Sequence, residues 1–233
     1  MKRRIFITGD KHGNFDFLPK FCATAETTKD DVLIILGDAG INFFKGRRDR
    51  NLKDFIASAP ITLVCVHGNH ERRPSTLPNY QRVYLPYLQT MGYMEHEYPT
   101  ILFPDDGQMI INNKTFLVLG GAYSVDKYYR LKNKWSWFAD EQMSEDVRNI
   151  IRKWTDFQPD YKYVLSHAAP LSMEPRHLFL SEVDQNNVDR STETFLEEIK
   201  NKINFEHWYF GHYHADEYLG NGFELFYNQI KEI

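Results

Sequence analysis

Residues Val64–Glu71 read VCVHGNHE. An apolar run, ITLVCV, begins at Ile61 and stops at Val66; His67, Gly68, Asn69, His70 and Glu71 follow at once. Six residues rich in β-branched side chains are too few for a helix, so the run reads as a buried strand. The two histidines, the asparagine and the glutamate therefore stand just past its C-terminal end. In α/β sheets that crevice is where ligands bind.

The pattern recurs outward from this stretch. RRIFIT runs into Gly9-Asp10, with His12 and Gly13 close behind. DVLIIL ends at Gly37-Asp38, YKYVLS ends at His167, and FEHWYF ends at Gly211-His212-Tyr213-His214. Between the first three strands, FDFLPKFCATAE and RRDRNLKDFIAS have helical character, as parallel strands with crossover helices require. The middle changes. TILFPDDGQMIINNKTFLVLGGAYS reads as short strands joined by tight turns, one of them at Asn112-Asn113-Lys114. VDKYYRLKNKWSWF reads as a loop. ADEQMSEDVRNIIRKW has helical spacing, with Met143, Val147, Ile150 and Ile151 as the apolar face. ADEYLGNGFELFYNQ reads as a hairpin about Gly220-Asn221-Gly222. The expected fold class is α/β, a two-sheet β-sandwich flanked by helices on both faces, in a single domain over residues 1–233.

Composition bounds the function. Hydrophobic residues at 42% and charged residues at 26% mark a globular chain. The net charge of −4 lacks the basic excess of a protein that grips long duplex nucleic acid. Basic clusters at Lys2-Arg3-Arg4, Arg47-Arg48 and Arg72-Arg73 read as solvated ends of elements. Two cysteines, Cys22 and Cys65, sit among apolar neighbours and read as free buried thiols rather than as metal ligands. No run approaches the roughly 18 apolar residues of a membrane helix, and no signal peptide is read, so a cytoplasmic location is expected.

The order of blocks is Gly-Asp-x-His-Gly, Gly-Asp, Gly-Asn-His-Glu, a strand-end His, then Gly-His-x-His. In this order the sequence resembles the calcineurin-like metallophosphoesterase family, over Asp10 to His214 and so nearly the whole chain. The resemblance implies two metal ions at the strand ends. Asp10, His12 and His214 would bind the first, Asp38 would bridge, and Asn69, His167 and His212 would complete the second. His70 would face the substrate as the catalytic group.

The residue types suit this chemistry on their own. Carboxylate and imidazole suit manganese, with iron or zinc as alternatives. Two divalent ions against Asp10 and Asp38 leave the site about +2, which favours an anionic phosphoester, and such ions can activate water and clamp phosphoryl oxygens. Glu71 is expected to orient its neighbours by hydrogen bonding. His67, His96, His177 and His207 read as structural.

The sequence departs from the phosphoprotein phosphatase branch after Asp38. Asn42 stands where that branch has an Asp, and no Arg follows it. A phosphodiesterase acting on small or nucleotide-like substrates is therefore favoured over a phosphomonoesterase or phosphoprotein phosphatase. A nuclease and a non-catalytic scaffold rank lower, the scaffold because every ligand position is filled. Substrate contacts are expected from Arg130 and Arg72. Asp126 is expected to orient His70, and Tyr128, Tyr129, Trp135 and Trp137 offer stacking surface for a base or sugar.

Overall fold

The computed structural model describes residues 3–233; Met1 and Lys2, the latter part of the first basic cluster, lie outside them. Strand β1 (Ile5–Thr8) shows how the layers arise. Its side chains alternate between two cores. Ile5 and Ile7 enter one and Phe6 enters another, because successive strand residues point to opposite faces. A strand covered on both faces is mostly apolar, and all four of its residues are buried, with the Thr8 hydroxyl donating to Tyr227 O at 3.3 Å.

Helix α1 (Leu18–Ala25) leads to β2 (Val32–Ile35), and α2 (Arg47–Ser58) leads to β3 (Thr62–Cys65). These three strands pair in parallel, as expected. The chain then forms an antiparallel hairpin, β4 (Gln81–Leu85) and β5 (Thr90–Met94), before β6 (Ile101–Pro104) rejoins β3 in parallel. The second sheet begins with β7 (Gly107–Ile111) and β8 (Lys114–Leu119), joined at the predicted Asn112-Asn113 turn, where both asparagines have positive φ. After α3 (Lys127–Lys132) and α4 (Glu145–Phe157) come β9 (Asp160–Ser166), α5 (Ser191–Lys200) and β10 (Asn204–Phe210). The closing hairpin is β11 (Glu217–Gly220) and β12 (Phe223–Leu225), and β13 (Lys231–Glu232) crosses back to pair with β1. The sheet orders are β13-β1-β2-β3-β6-β5-β4 and β11-β12-β10-β9-β8-β7.

The two sheets pack face to face. Ile7, Ile34 and Val64 from the first meet Val118, Leu165 and Tyr209 from the second. Leu18, Cys22 and Ile56 of α1 and α2 cover the outer face of the first sheet. Ile151, Phe195, Leu196 and Ile199 of α4 and α5 cover that of the second. The fold is thus the expected sandwich with helices on both faces. Both cysteines are free and buried. No helix among the described residues is long and apolar enough to cross a membrane.

Two local expectations change. The segment expected as a loop contains α3, which Asp126 and Asn133 flank as caps. Helix α4 starts only after Ser144, whose Oγ accepts from Val147 N, and buries Arg148, Ile151 and Thr155. Ile150 is 50% exposed, and Met143 is buried ahead of the helix. Counting at 100° per residue from the Ser144 cap puts 148, 151 and 155 on one stripe and turns Ile150 outward.

Candidate metal centre

Five strands deliver their C-terminal residues to one edge of the sandwich. Asp10 and His12 follow β1, Asp38 follows β2, and Asn69 and His70 follow β3. His167 follows β9, and His212 and His214 follow β10. The loops are tied to one another. Lys11 N and His12 N both donate to Asp38 O, at 2.9 and 2.8 Å, His70 N donates to Asp38 Oδ1 at 2.8 Å, and His212 N donates to Asp10 Oδ1 at 2.9 Å. The packing needs glycine at close approaches. A Cβ on Gly37, where φ is 89°, would stand 2.1 Å from His167 Nδ1, and one on Gly68 would stand 2.0 Å from Asp38 Oδ1. His12, Asp38, His212 and His214 themselves adopt left-handed backbone, with φ of 47, 47, 70 and 52°. For residues with a Cβ this is strained, and such strain clusters at functional sites.

The side chains form two overlapping groups, each with ligand atoms within 4.8 Å of one another: Asp10, His12 and His214, then Asp10, Asp38 and His167. In the first, His214 Nε2 and His12 Nε2 stand 3.3 and 3.8 Å from Asp10 Oδ2, and 2.9 Å from each other. Asp10 Oδ2 is buried without a hydrogen-bond partner. In the second, His167 Nε2 lies 3.6 Å from Asp38 Oδ2 and 2.8 Å from Asn69 Oδ1. Asp38 Oδ2 is also 4.0 Å from His12 Nδ1, so this carboxylate reaches both groups. His212 belongs to neither group; its ring centroid stands 5.0 Å from that of His167.

This donor set fits cations. His167 Nδ1 lies 2.7 Å from Leu36 O, and a carbonyl carries no proton, so Nδ1 is the donor and neutral His167 has its lone pair on Nε2. That lone pair faces Asn69 Oδ1 and Asp38 Oδ2, which are also acceptors. Asn69 keeps its amide oxygen toward His167 because Nδ2 donates to Ser124 Oγ at 2.8 Å and the Ser124 hydroxyl is itself spent on the Glu141 carboxylate. Converging lone pairs require a proton or a cation between them. Burial pushes His167 down, but Asp38 and then Asp10 outweigh it and hold the ring up at about 9. Asp38 is depressed well below the carboxylate range, with His167 as the main cause working against burial. Burial, then His167, push His212 down to about 3.

The family model for calcineurin-like phosphoesterases matches residues 3–216. The chain belongs to the calcineurin-like phosphoesterase family. This phosphoesterase is a metal-dependent hydrolase of phosphoester bonds, and members of the family typically carry two metal ions. No match is found among the curated proteins. One solved structure is similar over 100% of the phosphoesterase and 99% of its own chain, with a TM-score of 0.52 at 14% identity. The crystal structure of phosphopantetheinyl hydrolase from Mycobacterium tuberculosis is similar over 97% and 88%, with a TM-score of 0.51 at 13% identity. At such identities the likeness is one of fold.

The remaining sequence candidates divide. His70 flanks the candidate metal residues, 5.6 Å from His12 between ring centroids. Burial and Arg130 push its ring down, while Asp38 and Asp126 pull it up, with burial the largest effect. Asp126 lines the same cavity as His70. Arg130 does not line that cavity and is engaged: Nε donates to Asp126 Oδ2 at 2.7 Å and Nη1 to Ser136 O at 3.3 Å. Arg72 donates to Phe43 O and Phe44 O at 3.2 and 3.0 Å, which holds it at the β2–α2 loop rather than at a phosphate. Tyr128, Tyr129 and Trp135 are exposed outside the cavity, and Trp137 donates to Glu141. Asn42 Oδ1 accepts from Lys53 Nζ and Tyr80 OH, in a buried network apart from the metal residues. His177 pairs with Glu217, and His207 stacks on Tyr163 and Tyr209.

Sequence reading overlooked Ser124, which no motif signals because its role depends on where β8 ends. It foresaw Glu71 only in outline. Glu71 Oε1 accepts from Gly68 N at 3.1 Å and Oε2 from Gly40 N at 3.2 Å, so one carboxyl joins the loops after β2 and β3. Burial, then Asp38, push it up to about 8.

Proposed function

We propose that the chain hydrolyses phosphodiesters, with Asp10, His12 and His214 holding one divalent ion, Asn69, His167 and His212 a second, and Asp38 shared between them. Manganese fits this oxygen and nitrogen set, with iron or zinc as alternatives. When bound, the ions supply Lewis-acid charge and a nucleophilic water. Asn69 would offer its amide oxygen, fixed outward by the bond from its own Nδ2 to Ser124. As the bond from phosphorus to the leaving oxygen breaks, His70 would give that oxygen a proton. Asp126, in the same cavity, would help to orient and charge His70.

The observation that supports a diester over a monoester is the engagement of the arginines. A monoester dianion asks for cationic charge beyond the metals. Arg130 is tied to Asp126 and Ser136, and Arg72 to two carbonyls. The site is therefore matched to a monoanion. The test compares kcat/KM for bis-p-nitrophenyl phosphate and p-nitrophenyl phosphate on the manganese-loaded protein. A diester preference is expected. A monoester preference of about tenfold, roughly 1.4 kcal/mol, overturns the reading.

A further inference from the structure

A cavity of about 350 Å³ opens beside the metal residues. Asn69, His70 and His212 form one part of its wall. The rest is largely apolar: Leu178, Phe179, Val183 and Val188 from the segment between β9 and α5, with Tyr213 from the loop after β10. Phe179 and Tyr213 stack on each other with centroids 6.2 Å apart, which holds that part of the wall in place. A volume of this size suits a small organic group, and the polar side chains in the wall are mostly engaged, Asp126 with Arg130 and both Glu174 and Gln185 with Arg190, which leaves few partners for the hydroxyls of a sugar.

Three carboxylates in that wall have an oxygen without a hydrogen-bond partner, Asp126 Oδ1, Glu174 Oε2 and Glu193 Oε2; Asp126 is paired with Arg130 and Glu174 with Arg190, whereas Glu193 has no ion-pair partner among the described residues. Glu193, on α5, is 4% exposed, and its Oε2 makes no hydrogen bond. The neighbouring guanidinium is engaged elsewhere. Arg190 Nε donates to Glu174 Oε1 at 3.0 Å, Nη1 to Gln185 O at 2.8 Å and Nη2 to Gln185 Oε1 at 2.7 Å. Burial, and less so Glu174, push Glu193 up to about 7. A buried acceptor left without a donor is costly, and a ligand that brings the donor relieves that cost.

We propose that the substrate is a phosphoester carrying a slender, mostly apolar arm that lies in this cavity and offers an N–H donor to Glu193. The proposal deepens the phosphodiesterase reading and rests on it. The phosphate would sit at the metal residues, and the arm would run along Leu178, Val183 and Val188. A nucleoside, with its polar sugar, is the poorer occupant.

The test uses the full, manganese-loaded chain and p-nitrophenyl phosphodiesters whose second group is methyl, propyl, pentyl, 5-acetamidopentyl or N-methyl-5-acetamidopentyl. The leaving group is constant, so only the arm varies. From methyl to pentyl, kcat/KM is expected to rise steeply, up to about fourfold per methylene. The acetamido arm should exceed its N-methylated analogue, which lacks the donor, by about tenfold. Glu193→Leu should bring that last ratio close to one while the alkyl series still rises; Glu193→Met, equally without an acceptor oxygen, serves if the leucine variant does not fold. A flat alkyl series with measurable hydrolysis overturns the arm and leaves the phosphodiesterase reading standing. A p-nitrophenyl uridine phosphate that outpaces the pentyl ester also overturns it. If no ester is hydrolysed, the phosphodiesterase reading fails. Calorimetric titration with pentyl phosphate against methyl phosphate then decides the arm alone: tighter pentyl binding supports it and equal binding overturns it.

Discussion

Replacing Glu71 by alanine should loosen the proposed metal centre without touching a proposed ligand. The carboxyl is 1% exposed and accepts from Gly68 N and Gly40 N, at 3.1 and 3.2 Å. Truncation strands both N–H groups in the interior, at about 1–3 kcal/mol each. Set against this is relief of the carboxyl's own desolvation, visible in its upward push to about 8. The net loss should be about 2–4 kcal/mol, toward the lower end of that sum. Glu71→Gln keeps one acceptor and turns an amide N–H toward the other donor, so it should cost about half as much. Urea denaturation of the metal-free protein, followed by circular dichroism, measures both. Because the carboxyl also fixes the spacing of the Asp38 and Asn69 loops, manganese affinity should fall about 10–100-fold. A Glu71→Ala protein within about 1 kcal/mol of the parent and with unchanged metal affinity would refute the clamp.

Asp38→Asn should lower metal content at both positions together, because Asp38 Oδ2 faces His167 and His12; elemental analysis after reconstitution that shows one full site would contradict a shared role. His70→Ala should fold and bind metal normally yet lower the rate by on the order of 10²-fold or more, with a smaller loss for good leaving groups. Gly37→Ala should displace the His167 ring, since its Cβ would stand 2.1 Å from Nδ1, and so lower metal content; a normally loaded variant would count against it. Far from the site, burial pushes Asp31 up, but the Arg4 guanidinium and the Thr28 N–H outweigh it and hold the carboxyl at about 2. Its contribution is full above the ordinary carboxylate value near 3.8 and lost as pH falls through about 2. Asp31→Asn should therefore destabilise by about 1 kcal/mol at pH 7 after allowance for solvent screening, and by almost nothing in melts near pH 2.

What the sequence made legible is what strand ends make legible. Five apolar runs, each closed by a metal-capable residue, required no tertiary knowledge to be aligned on one edge. The hairpin β4–β5 escaped because Pro86 and Gly92 interrupt its alternation and its exposed face carries Gln81, Arg82 and Tyr84. Helix α5 gave a readable stripe at Phe195, Leu196 and Ile199, but it follows a long irregular segment that draws attention away from it. The arginines misled for a different reason. Arg130 and Arg72 lie near His70 in sequence or across a loop, and proximity suggested a phosphate. Which acceptor a guanidinium chooses depends on the carbonyls and carboxylates that tertiary packing places around it, and here Ser136, Phe43, Phe44 and Asp126 are nearer.

The backbone of the proposed ligands is itself strained. His12, Asp38, His212 and His214 all stand in left-handed conformation, at a cost of order 1 kcal/mol or more each. Asparagine or glycine would fill such positions with less strain, yet histidine and aspartate stand there. Beside them, Asp10 Oδ2 is buried without a hydrogen-bond partner, and, against its burial, the His167 ring is held up at about 9 by Asp38 and Asp10, so that a proton on Nε2 stands where a cation would. Strain in the backbone and the buried, unpartnered Asp10 oxygen both burden the metal-free fold, and cations in the proposed centre would offset both. Metal binding would thus contribute folding free energy to this edge of the sandwich. Its removal should be felt first in the loops after β1, β2 and β10, whose amide hydrogens should exchange faster in chelator while those of the central strands β2, β3 and β9 stay protected. Equal protection of those loops with and without manganese would show that the sandwich holds the site's geometry unaided.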